Sequence, residues 1–95
     1  MIAAPSRKHT EVAIIVPAFN EVGAIADTVA QLQQMIASHG LDAEIVVVDD
    51  GSVDGTGEAA ANTGARVIRS PSNVGYGHAL KTRIAATSSD FVAII

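Results

Sequence analysis

Glu44-Ile-Val-Val-Val-Asp-Asp50 runs directly into Gly51-Ser-Val-Asp-Gly-Thr56. The apolar stretch neither alternates nor recurs at helical spacing, and every residue in it is β-branched. Such a run reads as a strand buried on both faces, the situation of a strand inside a parallel sheet. The change to Gly, Ser and Asp marks a turn, with Asp54 placed to cap a short Ala-rich helix. This strand–turn–helix unit decides the fold class, because the same grammar repeats on either side of it.

Upstream, Val12-Ala-Ile-Ile-Val-Pro-Ala18 is a second continuous apolar run, expected to end as a strand at Pro17. Between the two runs, Val22, Ile25, Val29, Leu32 and Ile36 step by three and four, which places them on one face of a helix from Val22 to about His39. Gly40 stands where a helix C-cap would, and His39 where a cation favours the helix dipole. Downstream, Gly64 closes the second helix, and Arg66-Val-Ile-Arg-Ser70 reads as a strand. Pro71-Ser-Asn-Val-Gly-Tyr-Gly77 reads as a loop, and Tyr76, Leu80 and Ile84 as the stripe of a third helix. The run Phe91-Val-Ala-Ile-Ile95 is a fourth strand. Alternation of strands and helices with short links predicts an α/β fold, an open parallel sheet with alternating helices, preceded by a flexible segment over 1–10. The fourth strand is wholly apolar and wants cover on both faces, so the domain is expected to be interrupted after it and to self-associate through that strand.

Composition bounds what such a domain can do. At 95 residues, with 48% hydrophobic and 17% charged residues, the chain is one small folding unit rather than a disordered one. Aromatics are 3%, so its core is thin. A net charge of −4 argues against nucleic acid as a partner. The absence of cysteine excludes disulfides, thiolate metal sites and thiol nucleophiles. No apolar stretch is long enough for a membrane segment or has the form of a signal peptide, and the expectation is a cytoplasmic protein.

Ligands of open parallel sheets bind beyond the carboxyl ends of the strands. Asn20 and Glu21 follow the first strand, and Asp49 and Asp50 end the second, so acceptors gather at one rim. They suit the N–H and O–H groups of a base or ribose better than a phosphate. Asn20 and Glu21 read equally as the start of a helix. Two adjacent carboxylates at a buried strand end call for a ligand, a donor or a cation to answer them. The opening Asp50-Gly-Ser-Val-Asp-Gly55 has the look of a calcium loop, but its twelfth position is Ala61. Gly75 and Gly77 lack the third small residue of a dinucleotide fingerprint. Lys81 and Arg83 diverge around a helix, His78 has no metal-binding companion, and no nucleophile–base pair is identifiable.

Val16-Pro-Ala-Phe-Asn-Glu21, Val47-Val-Asp-Asp-Gly-Ser-Val-Asp-Gly-Thr56 and Asn73-Val-Gly-Tyr-Gly-His-Ala-Leu-Lys-Thr82, in that order, resemble the inverting family 2 glycosyltransferases, with the dolichyl- and polyprenyl-phosphate sugar synthases as the closest look. The resemblance implies the nucleotide-sugar-binding half of a GT-A fold over 11–95, a Rossmann-like unit. By motif position it assigns Pro17, Phe19, Glu21, Val48 and Asp50 to the nucleotide, the donor being a UDP- or GDP-linked sugar. It assigns no catalytic and no metal-binding residue. The Asp-x-Asp motif that binds Mg²⁺ or Mn²⁺ in the family follows its fourth strand and is not in this sequence, so the ion is expected for a full-length parent, and the chain is expected to be inactive alone. Arg83 stands where relatives commonly have Gly. The implied function is transfer of a sugar to a polyprenyl or dolichyl phosphate or another acceptor. The alternative is a stand-alone, non-catalytic nucleotide-binding or dimerising module.

Overall fold

The computed structural model describes residues 10–69 and 89–95. Its elements are β1 (Thr10–Ala18), α1 (Ile25–His39), β2 (Ala43–Asp49), α2 (Thr56–Ala61), β3 (Arg66–Arg69) and β4 (Ser89–Ile94). The four strands are parallel in the order β3-β2-β1-β4. The chain thus steps outward from β1 through β2 to β3, then returns to the opposite side of β1. That reversal puts a topological switch point between the ends of β1 and β4, with the end of β2 on the other side of β1.

Both faces of the sheet are apolar, as the continuous runs demand. On one face Ile14, Val16 and Ala18 of β1 join Ile45 and Val47 of β2, and α1 lays Ile25 and Val29 across them, with Ala60 of α2 beside. On the other, Ala13 and Ile15 pack with Val46 and Val48, and Ile68 of β3 leans on them. Ile15, Val29, Val46 and Val47 are completely buried, and each such side chain contributes about 1.5–3 kcal/mol relative to exposure.

Helix α1 begins three residues later than the spacing predicts. Its first helical hydrogen bond runs from Thr28 N–H to Ala24, while Ala24 and Ile25 N–H both donate to Glu21 in a preceding turn. Val22 is consequently exposed, and the packed stripe is Ile25, Val29, Leu32 and Ile36. Ala24 occupies the N-cap with no side-chain bond, so neither Asn20 nor Glu21 caps the helix. At the other end Gly40 adopts φ 62°, and Gly40 and Leu41 N–H donate to Ala37 and Ile36 carbonyls, a Schellman closure. His39 Nδ1 lies 3.0 Å from the Met35 carbonyl oxygen, a local helix-end contact.

Pro17 does not end β1, which runs on to Ala18 with Pro17 opposite Val48. Ile15 accepts from Ile95 N–H, and Ala18 accepts from Asp50 N–H on the other side, so by alternation Pro17 turns its nitrogen toward β4. Its missing N–H therefore takes nothing from the β1–β2 ladder, which runs on through Pro17↔Val48 to Ala18↔Asp49. Thr10, expected in the flexible segment, instead opens β1, with its hydroxyl 2.7 Å from that of Ser89. The predicted loop at 71–77 and the third helix lie outside the described residues.

Candidate functional site at the strand ends

The sequence places Pro17, Phe19 and Glu21 at the end of β1, and Val48 and Asp50 at the end of β2. The structure brings these two ends side by side: Pro17 pairs with Val48 in register, and Asp50 N–H donates to the Ala18 carbonyl at 3.0 Å. Val48 is 2% exposed, in the cluster with Ala13, Ile15 and Val46. Phe19 is 45% exposed. Glu21 is exposed and turns back on its own loop, where its Oε1 accepts Phe19 N–H at 3.4 Å. It also lines, with Val16, Ala24, Ile25, Thr28 and Ile95, a cavity of about 200 Å³ on the α1 side of β1.

The two carboxylates at the end of β2 have separate fates. Strand alternation sends Asp49 to the α1–α2 face and continues the face of Val46 and Val48 at Asp50. Asp49 is completely buried. Its Oδ1 accepts Ser52 N–H at 3.0 Å, and its Oδ2, which accepts no hydrogen bond, is answered by charge from Arg69 Nε at 3.3 Å. Arg69 comes to that position because β3 pairs Arg69 with Asp49 in register. Its guanidinium also donates to the Ser52 carbonyl and reaches Glu58, both at 3.3 Å. Asp50 is 6% exposed, and its Oδ1 has no hydrogen-bond partner. A buried carboxylate oxygen left without a donor is costly to the fold.

Between the two ends the loops are tied to each other through side chains. Asn20 N–H donates to Ser52 Oγ at 2.8 Å, and Val53 N–H returns a bond to Asn20 Oδ1 at 3.1 Å. Glu21 N–H donates to Thr56 Oγ1 at 2.8 Å, and Val22 N–H to Asp54 Oδ2 at 3.2 Å. Asp54 lies one residue ahead of the α2 N-cap, which is Gly55 at φ 92°. From there its Oδ1 accepts both the Thr56 N–H, at 3.0 Å, and the Thr56 hydroxyl. That hydroxyl is the main cause holding the Asp54 carboxyl below its ordinary range; desolvation opposes it, and the backbone N–H groups of Val22 and Thr56 add to it.

Sequence reasoning misses Ser52, Thr56, Arg69 and Gly57. Ser and Thr hydroxyls in a Gly-rich turn are a general signal for backbone bonding, and that signal is present here. Nothing in the sequence announces that Arg69 lands opposite Asp49. Gly57 sits where an added Cβ would meet Asp49 Oδ2 at 2.7 Å and the Arg69 guanidinium at 3.2 Å, so its bareness lets the pair form.

Residues 13–95 match Glycosyl transferase family 2. This chain belongs to that family. It is 34% identical over 91 residues to the glucosyl-3-phosphoglycerate synthase of Mycobacterium tuberculosis, an alignment covering 88% of this chain and 28% of the relative. It is 43% identical over 74 residues to an uncharacterised protein of Methanocaldococcus jannaschii, covering 78% of the chain and again 28% of the relative. The chain therefore spans under a third of these relatives. Its fold superposes on the crystal structure of the M. tuberculosis synthase in complex with Mn²⁺, UDP and glucosyl-3-phosphoglycerate with a TM-score of 0.75 at 31% identity, over 90% of this chain and 33% of that one. A mannosyl-3-phosphoglycerate synthase from Rubrobacter xylanophilus gives 0.59 at 28% identity, over 63% of this chain and 19% of that one. The family 2 membership, the GT-A architecture and the parallel sheet expected from the sequence all hold. The M. tuberculosis and R. xylanophilus relatives are named as 3-phosphoglycerate synthases, and neither as a polyprenyl-phosphate sugar synthase. Among the described residues, no helix is long and apolar enough to cross a membrane.

Proposed function

We propose that this chain binds the nucleotide of a nucleotide-diphosphate sugar, with UDP as the favoured base carrier, and forms the donor half of a glycosyltransferase. The observation that carries the reading is Asp50 Oδ1, buried and unpartnered just beyond the carboxyl end of β2, beside the end of β1. A carboxylate there accepts from ring N–H or ribose hydroxyl groups. Phe19 supplies an apolar face for the base, Pro17 and Val48 a rigid floor, and Glu21 a second acceptor. UDP is favoured over GDP because the solved relative holds UDP. The names of the relatives favour a small phosphorylated acceptor over a polyprenyl phosphate.

The M. tuberculosis synthase holds Mn²⁺ or Mg²⁺ with UDP. Among the described residues no three His, Asp or Glu side chains converge as a metal site requires, and Asp50 alone offers too few oxygens for either ion. The described residues do not fit that ion by themselves. The role assigned to them is binding and orientation of the nucleotide, without sugar transfer by this chain alone.

Titration of the ¹⁵N-labelled chain with UDP and GDP, with and without Mn²⁺, tests the proposal. The expected result is weak, metal-independent binding of UDP, with shifts at Phe19, Glu21, Val48 and Asp50. A folded sample that shows no shifts at these residues with either nucleotide contradicts it.

The edge strand favours a second reading, a dimerising module. Phe91 and Ile94 of β4, and Ile95 just after it, are more than half exposed, and β4 lies at the margin of the described sheet. Sedimentation would then show a dimer at micromolar concentration that Phe91→Lys abolishes. A monomer at those concentrations removes this reading and leaves the first untouched.

A further inference from the structure

We infer that Asn20 is a positioning residue for the nucleotide: with Ser52 it locks the β1 and β2 loops into one body, fixing Phe19 and Glu21 relative to Asp50. The inference rests on the nucleotide reading above and deepens it.

Asn20 is the one described residue other than glycine with a left-handed backbone, at φ 51°. Asn tolerates that region better than most residues, though it is never the least strained choice there. The conformation is tied to a reciprocal contact. Main-chain N–H goes out to Ser52 Oγ, and side-chain Oδ1 takes Val53 N–H back. Neither bond lies within one loop; both cross from the end of β1 to the end of β2.

Ser52 is the joint on the far side. It is 6% exposed, its N–H is held by Asp49 and its carbonyl by Arg69. The buried ion pair beneath β2 is thereby connected through one serine to the loop that carries Phe19 and Glu21. Asp50 lies two residues before Ser52, and Phe19 and Glu21 flank Asn20 directly. A shift of Asn20 against Ser52 therefore moves the ligand-facing groups of one loop against that of the other. Misplacement by an ångström is enough to weaken a polar binding site.

The test compares Asn20→Gly, which keeps the left-handed backbone permissible and removes Oδ1, with Asn20→Asp, which restores a carbonyl-type acceptor. Hydrogen exchange and UDP affinity are read in the full chain. For Asn20→Gly, exchange is expected to accelerate at Val53, which loses its partner. It should also accelerate at Glu21 and Val22, whose acceptors Thr56 and Asp54 are untouched. UDP affinity should fall about tenfold, the scale of one or two lost hydrogen bonds. Asn20→Asp should recover both. Exchange that rises only at Val53, or affinity equal to wild type, overturns the inference. Affinity lost without faster exchange at Glu21 and Val22 overturns it too, since that is the mark of direct contact. If wild type itself binds no UDP, the nucleotide reading fails and takes the positioning role with it, an outcome distinct from a wild type that binds and a variant that binds equally.

Discussion

Asp49 and Asp50 are the same residue type, adjacent in sequence, at the end of the same strand, and both are nearly or fully buried. The α1–α2 face supplies Asp49 with a cation and an N–H donor. The opposite face leaves an oxygen of Asp50 with nothing. One carboxylate is consumed in holding the rim together, and the other, under the nucleotide proposal, is left to take a ligand's donor. Two like charges at a buried strand end need not share a fate when strand alternation sends them to different sides of a sheet.

The largest effect that would break this contrast is on stability. Asp49→Ala strands Ser52 N–H in a buried site and removes one of the partners of Arg69. Arg69 is half exposed and can be rehydrated, which lowers the ion pair's share. The expected loss is about 2–3 kcal/mol, read as a lower urea midpoint at constant slope. A loss below about 0.5 kcal/mol, the range of ordinary surface changes, would show that Asp49 is not the anchor.

Gly57→Ala sharpens the same point from the other partner. Alanine normally favours a helix over glycine by about 1 kcal/mol. At this position the new Cβ would stand 2.7 Å from a carboxylate oxygen that is itself fully buried and cannot withdraw. The clash should win, with a net loss of about 1 kcal/mol measured by the same unfolding experiment. A gain in stability would mean that the Asp49–Arg69 pair can move aside.

The smallest effect concerns Asp54, which ties Val22 and Thr56. Its folded carboxyl titrates below the unfolded value of 3.8. A depressed value means that its contribution is complete above 3.8 and is lost as pH falls below that through the folded value. The amide shifts of Val22 and Thr56 should thus stay constant from neutrality down to about pH 4 and move together below it. Asp54→Asn should abolish that acid step.

Much of the fold is legible in the residues themselves. The continuous runs at Val12–Ala18 and Glu44–Asp50 specify buried parallel strands because no other environment hides every side of a strand. The stripe from Ile25 to Ile36 specifies the packed face of α1. Val22 misleads, since it keeps the helical spacing, yet its N–H is drawn off to Asp54 ahead of the helix. Pro17 misleads in the same way, because its nitrogen faces away from β2 and its missing N–H takes nothing from the β1–β2 ladder, so the strand runs on to Ala18. The site is half legible. Repulsion between Asp49 and Asp50 signals that something must answer them, but which one is answered depends on the register of β3, a long-range fact. Pro17 and Val48 come from the motif resemblance alone, since a buried valine and a strand-end proline carry no chemical signal of their own.

Thermal unfolding of wild type and Asp50→Asn, each with and without millimolar UDP, tests the central claim most directly. An unpartnered buried carboxylate burdens the fold, so the variant should melt at the wild-type temperature or above it, while the upward shift that UDP gives the wild type should disappear. A variant that melts lower and keeps the full UDP shift would contradict the account, for Asp50 would then be a structural residue and the nucleotide would be held elsewhere.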